Sequence, residues 1–381
     1  MVITGLSYDG PNFSRCSYSS VNFEDEKECR RCGRCRESCR LFLRITILTL
    51  KVVIIINLLV FVVIPLIFKF SYALQRKAVF LNFVNLPENN DYSQPKVFGL
   101  EGARNFYLYN NGVKLGVWQI LPSQVIPNKT DDNTFETYLG NGQDVILYNH
   151  GNAGSRATAH RVEMYKFLSN FFHVITYDYR GYGDSGDDPP TEADVVSDCK
   201  FMVQWIRSKI SPESHIFIWG HSLGTSIALS ATSTLKKEGF VPTGIILEAP
   251  FNNFRDEIGE FPLALLFKYL PWFEACIVNP LTNNGFVFQS DEYILNADCP
   301  ILIMHAEDDR TVPFELGKKL YTVASEKRLE TQGSVQFQSF PKKFHYGHRY
   351  IIRAPELHDI VERFIRKAVN ETEMILLGEK N

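Results

Sequence analysis

Little in this chain of 381 residues is extreme. Its 40 basic and 43 acidic residues leave a formal net charge of −3 and a pI near 6.3, so it lacks the basic excess of a protein whose main partner is nucleic acid. It also lacks the highly charged, aromatic-poor composition of a disordered chain, since charged residues make up 22% and aromatics 13%. No internal repeat and no second hydrophobic core is found, which excludes a repeat array and leaves one large domain as the main body. Cysteine is scarce over most of the length. Of eight, Cys16, Cys29, Cys32, Cys35 and Cys39 crowd into the first 51 residues, while Cys199, Cys276 and Cys299 stand singly. That arm carries nine Lys and Arg against six Asp and Glu, about +3, and the remaining 330 residues are about −6. The average hides two unlike parts.

One long uncharged run divides them. Val52 to Phe68 reads VVIIINLLVFVVIPLIF, seventeen residues between Lys51 and Lys69. As a helix it covers roughly 25 Å, slightly short of the ~30 Å hydrocarbon core, and the flanking lysines snorkel to make up the difference. Asn57 and Pro65 are tolerable near a neighbouring helix or the interface. Fifty-one residues precede the run, too many for a signal peptide, so a retained signal anchor is expected over residues 52–68 rather than a cleaved leader or a core helix. Arg34, Arg36, Arg40, Arg44 and Lys51 before it outnumber Lys69, Arg76 and Lys77 after it. The positive-inside rule then places the arm, residues 1–51, in the cytosol and the body on the lumenal or extracellular side. Sequons at Asn128 and Asn370 in the body agree weakly with this, and one at Asn12 lies on the other side.

Cys29, Cys32, Cys35 and Cys39 have the spacing of a bacterial iron-sulfur run. Arg40 stands where proline usually follows, five arginines are interleaved, and no strand pattern builds a pocket. Surface or palmitoylated thiols beside a polybasic patch fit better than zinc or an iron-sulfur cluster. No metal and no cofactor is expected.

Residues 69–95 read as a connecting stalk, broken by Pro87, Glu88, Asn89 and Asn90. Asn110-Asn111-Gly112 between two apolar runs signals a hairpin. Short apolar runs at 144–151, 173–181, 215–220, 244–250, 299–309 and 335–340 then alternate with helical stretches. The clearest helix is Asp194 to Ile210, with Val195, Cys199, Met202, Val203, Ile206 and Ile210 at a near-3.6 period. Doubly buried strands separated by amphipathic helices imply an α/β fold with a mostly parallel sheet covered on both faces, over residues 96–370, followed by a tail, 371–381.

Within it, HIFIWG runs into Gly220-His221-Ser222-Leu223-Gly224 and then an apolar helix. A G-x-S-x-G placed strand, turn, helix marks Ser222 as a candidate nucleophile, against the plainer reading that it caps the helix. A serine hydroxyl needs a base, and the base an orienting acid, in the order Ser, acid, His. The run Ile301 to Met304 ends in His305-Ala306-Glu307-Asp308-Asp309-Arg310-Thr311-Val312-Pro313, where the D-x-x-V-P frame selects Asp309 over Asp308. Past the last strand, His345 and His348 both suit the base, and spacing leaves them open. For the oxyanion, the N–H of Leu223 is one donor, and His150-Gly151-Asn152-Ala153-Gly154 offers that of Asn152 as the other. Arg156, His160 and Arg161 just beyond are expected on a solvated helix face, with contact to an anionic headgroup as the alternative. Residues 251–297, including Phe261 to Phe273, form a cap insertion, either a packed helix or a lid lining an acyl tunnel.

The phrases YNHGNAGSRATAHRVEMYKFL, YDYRGYGDSG, IWGHSLGT, LEAPFNNFR, LIMHAEDDRTVPFELGKKLY and HRYIIRAPEL resemble the α/β-hydrolase superfamily, and within it the membrane-anchored lysophosphatidylserine and monoacylglycerol lipases. The resemblance implies an α/β-hydrolase fold with a helical cap, Ser222 as nucleophile, Asp309 as acid and His348 as base. It implies a serine lipase acting on lysophospholipids and monoacylglycerols drawn from the bilayer, with the endoplasmic reticulum membrane as the expected location. A serine peptidase or thioesterase, and a non-catalytic lipid-binding protein, are the competing functions.

Overall fold

The computed structural model describes residues 33–84, 90–126, 132–261 and 264–376. It divides into two units, Met1–Ile64 and Pro65–Asn381. In the first, the helix Gly33–Leu58 passes into a π-helical turn, Leu59–Val63. The apolar helix counted from Glu37 to Phe70 is 34 residues long, and its most apolar eighteen-residue window has mean hydropathy 3.0 with none of it buried. It therefore starts well before Val52. Pro65 accounts for the π turn: with no N–H it cannot complete the α pattern, and the N–H of Ile64 reaches back to the carbonyl of Leu59. Asn57 needs no neighbouring helix, because its Nδ2 donates to the Val53 carbonyl at 2.8 Å. Cys35 and Cys39 fall on this helix, Cys39 exposed; Cys16, Cys29, Cys32, Asn12 and Asn128 lie outside the described residues.

In the second unit, the segment expected to be a stalk is folded onto the body. Ser71 Oγ accepts from the Leu74 N–H and caps a short helix, Tyr72–Val79. Gln75, Val79 and Phe80 are buried, and Tyr72 stacks on Phe286 with centroids 5.8 Å apart. Tyr92 is buried too, its carbonyl accepting from Trp118 Nε1. Eight residues whose two buried positions are one polar, Gln75, and one apolar, Val79, give no apolar period to read as a helix, which is why sequence periodicity missed it.

The sheet has eight strands: β1 Ala103–Asn110, β2 Val113–Ile120, β3 Val145–Asn149, β4 His173–Tyr177, β5 Ile216–His221, β6 Gly244–Glu248, β7 Ile301–Ala306 and β8 Val335–Phe340. They lie in the order β1-β2-β4-β3-β5-β6-β7-β8. The β1–β2 and β2–β4 pairs are antiparallel and the rest parallel. Asn111 and Gly112 take positive φ in the hairpin turn, as a tight two-residue connection requires. Alternate residues of one strand feed two cores. Val145 and Leu147 join the cluster on one face with Ile218, while Ile146 and Tyr148 join the other with Phe217 and Trp219. The expected helix at 194–210 runs Glu192–Lys209, capped by the Thr191 hydroxyl. The last helix, Leu357–Leu376, carries past residue 370. Glu371 accepts from the Ser334 N–H and hydroxyl, and the Thr372 hydroxyl donates to the Thr243 carbonyl, so the expected tail begins inside a packed helix. Asn370 is exposed on it.

Candidate active site

Ser222 stands between the end of β5 and the helix Leu223–Lys237, with φ 53° and ψ −119°. A positive φ is costly for a serine, and the surroundings hold it there. The Ser222 N–H donates to the Glu248 carbonyl at 2.9 Å, and the Thr225 hydroxyl to the Ser222 carbonyl at 2.6 Å. The flanking glycines are sterically required. A Cβ on Gly220 would lie 2.5 Å from the Gly224 carbonyl oxygen, and one on Gly224 2.2 Å from that of Asn149. The capping alternative fails, since the Ser222 side chain makes no cap hydrogen bond.

Asp309 follows β7 and is buried. Its Oδ1 accepts from the N–H groups of Thr311 at 2.8 Å and Val312 at 3.0 Å, which is what the D-x-x-V-P frame builds. Its Oδ2 accepts from His348 Nδ1 at 2.7 Å, with His305 Nε2 3.3 Å away. Burial alone would raise its pKa, but the hydrogen bonds from His305 and His348 hold the carboxyl well below the usual range. Asp308 turns instead to the Gly347 N–H at 3.0 Å. Of the two candidate histidines, His348 meets Asp309, whereas His345 is exposed in a left-handed turn. The His348 carbonyl accepts from His221 Nε2 at 2.8 Å. No hydrogen bond joins the Ser222 hydroxyl to His348 among the described residues; such bonds are often loose until substrate binds.

The loop after β3 lies against the serine: a Cβ on Gly151 would come within 3.1 Å of Ser222 Cβ. Leu223, first in its helix, has an N–H with no intrahelical acceptor. Arg161 organises the loop. Its guanidinium donates to the carbonyls of Gly151, Ala153 and Ser155 at 2.7 to 2.8 Å, which ties the loop down through three of its oxygens. Asn152 Oδ1 accepts from the N–H groups of Leu81 and Ala153 and from the Tyr182 hydroxyl, and its Nδ2 donates to Val79.

This corrects the expectation for Arg156 and Arg161 beyond the loop, which are buried rather than solvated, while His160 is half-buried. Arg156 is fully buried, bound to Asp178, Asp184 and Asn105. Arg161 is 2% exposed. Burial pushes the His160 pKa down to about 2, so that ring is neutral. The sequence shows no hint of this for Arg156, because its partners Asp178, Asp184 and Asn105 are distant along the chain. His150 is likewise buried and driven well below its usual pKa by burial, its ring packed on Tyr179 at 4.2 Å.

The cap insertion is a set of short helices rather than one packed helix: Phe254–Glu260, a π turn Glu274–Val278, Asn279–Asn283 and Ser290–Tyr293. Glu192, at the start of its helix, fastens the insertion by accepting from the N–H groups of Val287 and Phe288 and from the Tyr293 hydroxyl. Phe261, Leu265 and Tyr269 are exposed on it, Tyr269 at 86%. Among the described residues His358, Asp359 and Glu362 could jointly ligate a cation, but they lie on one helix outside this constellation and no buried donor joins them.

The family described as serine aminopeptidase, S33, matches residues 140–292. Lysophosphatidylserine lipase ABHD12 of Danio rerio is 40% identical over 311 residues, 81% of this chain and 81% of that protein. The protein of the same name from Gallus gallus is 41% identical over 310 residues, 80% of this chain and 81% of that one. Protein ABHD12B of Homo sapiens is 36% identical over 296 residues, 76% and 79% of the two chains. Among solved structures, an α/β hydrolase from Vibrio vulnificus aligns with TM-score 0.57 at 17% identity, covering 76% of this chain and 92% of that one. The Pyrococcus furiosus esterase Pf2001 aligns at 0.52 with 20% identity, covering 74% and 96%; both likenesses bear on the fold. This chain is a hydrolase of the α/β-hydrolase superfamily, and it belongs to the family of the lysophosphatidylserine lipases.

Proposed function

We propose that the chain is a membrane-anchored serine lipase that cleaves the acyl ester of lysophosphatidylserine, and of monoacylglycerols, through an acyl-enzyme. The reading rests above all on one observation: a buried, ionised Asp309 held 2.7 Å from His348 Nδ1, with Ser222 on a strained turn in the same domain. Asp309 fixes the tautomer that leaves Nε2 free to accept a proton. Ser222 Oγ attacks the ester carbonyl while His348 Nε2 takes its proton. The negative oxygen that forms meets the N–H groups of Leu223 and Asn152, each worth about 100- to 1000-fold in rate. Collapse expels the glycerol oxygen, which takes the proton back from His348, and leaves an acyl-Ser222. Water, deprotonated by His348, then releases the fatty acid.

The apolar helix and the exposed apolar residues of the cap suit a substrate that partitions into bilayers. In this reading residues 1–51 face the cytosol, residues 52–68 form the core of the span, and the catalytic body faces the lumen of the endoplasmic reticulum. Fluorophosphonate labelling of the wild type, abolished in Ser222→Ala, tests the mechanism; an unlabelled wild type overturns it. Lipid profiling of membranes incubated with the two forms tests the substrate, with loss of lysophosphatidylserine expected for the wild type alone. The match to the serine aminopeptidase family favours a second reading, peptide hydrolysis by the same residues. Faster turnover of peptide amides than of acyl esters would establish it.

A further inference from the structure

The turns that follow β7 and β8 lie side by side, because those strands are paired to their ends, Ala306 opposite Phe340. Between them is an open cavity of about 650 Å³ with His348 in its wall. Arg310, Lys342 and Lys343 line it, together with His345, Thr311 and Asp308. All three cations are exposed. None of them forms an ion pair among the described residues, in contrast to Lys200, Lys236, Lys319 and Arg353 elsewhere on the body. Lys343 Nζ stands 4.9 Å over the Phe344 ring, and no carboxylate approaches it. The nearby acids are occupied by backbone groups: Asp308 Oδ1 accepts from Gly347, and Glu307 Oε2 accepts from the Lys342 N–H at 3.2 Å. Three cations that pair with no carboxylate, against the single carboxylate of Asp308 in the same wall, leave a net positive cavity where an anion gains more than water does.

Chemistry says which part of the substrate reaches it. In ester cleavage the leaving oxygen takes its proton from His348 Nε2, so the glycerol side of the ester lies toward His348 and the acyl chain away from it. A cavity walled by His348 is therefore on the headgroup side. We propose that Arg310, Lys342 and Lys343 form a subsite for the anionic phosphodiester headgroup of a lysophospholipid, a group that neutral esters lack. This rests on the lipase reading above and adds to it the residues that select the headgroup.

The test compares full-length wild type with an Arg310→Ala, Lys342→Ala, Lys343→Ala variant, using lysophosphatidylserine and a neutral glyceryl ester of the same acyl chain. Solvent-exposed cations are worth a few-fold each, so the ratio of kcat/KM for the two substrates should fall by about tenfold or more. An unchanged ratio overturns the subsite. Binding provides an arm that needs no turnover: with Ser222→Ala as background, soluble glycerophosphoserine should bind, and the triple substitution should weaken it about tenfold. Retained affinity in that arm overturns the proposal even if the enzyme is a lipase, whereas failure of the wild type to label with fluorophosphonate overturns the lipase reading and leaves the binding result to stand. The bilayer's own phosphates are the other source of anions. Both arms are repeated in nanodiscs with and without anionic lipid, and an effect confined to anionic discs assigns the cations to the membrane surface and overturns the headgroup subsite.

Discussion

Asn152 Nδ2 donates to the carbonyl of Val79 at 2.6 Å, and the same side chain accepts from the N–H of Leu81. The residue proposed to give the oxyanion a backbone N–H is thus tied, through its side chain, to the segment that directly follows the apolar helix. The Gly154 N–H also reaches the Val84 carbonyl, and the Asn82 side chain donates to Gly181. On the same short segment, Gln75 is hydrogen-bonded to Asn284 of the cap and Tyr72 stacks on Phe286. The stretch leading out of the apolar helix is part of the scaffold that holds the candidate site.

Asn152→Ala keeps the backbone N–H but removes these ties. We expect kcat to fall by about tenfold to a hundredfold with KM little changed, since a small misplacement of a transition-state donor acts on the chemical step. Thermal unfolding of the same variant checks that the body still folds. A truncation starting at Ser71 should keep activity on a soluble ester, while one starting at Asp91 should lose it.

Asp309→Asn leaves the shape of the site but lets His348 take the wrong tautomer, at a cost of about 10⁴ in kcat. Asp308→Asn, whose carboxylate meets the Gly347 N–H rather than His348, should cost less than about tenfold. Equal losses in the two variants, measured by ester turnover, would mean that the acid has been misassigned.

Much of this was legible in the sequence for one physical reason. Doubly buried strands such as VILYN, IFIWGH and ILIMHA are continuous apolar runs, and G-x-S-x-G and D-x-x-V-P encode local turns whose demands are satisfied within a few residues. Ser222 and Asp309 could be read that way. What depended on long-range contacts could not. Arg156 looks like any solvated loop arginine until Asp178, Asp184 and Asn105, distant along the chain, close around it. His345 and His348 are equivalent in spacing, and only the fold brings one of them to Asp309. Phe80 reads as part of a linker because its partners, Phe286 and Phe288, are some two hundred residues away.

Gly224→Ala probes how tightly the nucleophile's helix is pressed on β3. The added Cβ would meet backbone, the Asn149 oxygen at 2.2 Å and the His150 oxygen at 2.8 Å, and backbone cannot swing aside. We expect a loss of fluorophosphonate labelling together with a destabilisation of about 1–3 kcal/mol or more. Gly239→Ala is the control for an open site: nothing lies within 4 Å there, so labelling should persist while the positive φ alone costs about 1 kcal/mol.

Glu248 gives the stability of the body a distinct pH dependence. It ends β6 with its Oε2 accepting from Trp219 Nε1 at 2.9 Å, and burial pushes its pKa up from 4.5 to about 8. In the unfolded chain the group ionises near 4.5, so between that value and about 8 the folded state holds a proton that the unfolded state has released. The stability this group confers is complete below about pH 4.5 and is lost as pH rises through about 8, at up to about 1.4 kcal/mol per pH unit. Other buried acids contribute slopes of their own, and the difference between wild type and Glu248→Gln isolates this one. The glutamine can still accept from Trp219 but does not titrate, so its Tm, followed by tryptophan fluorescence of the solubilised protein, should fall less than that of the wild type between pH 5 and pH 8. Parallel pH profiles for the two proteins would show that Glu248 ionises normally in the fold.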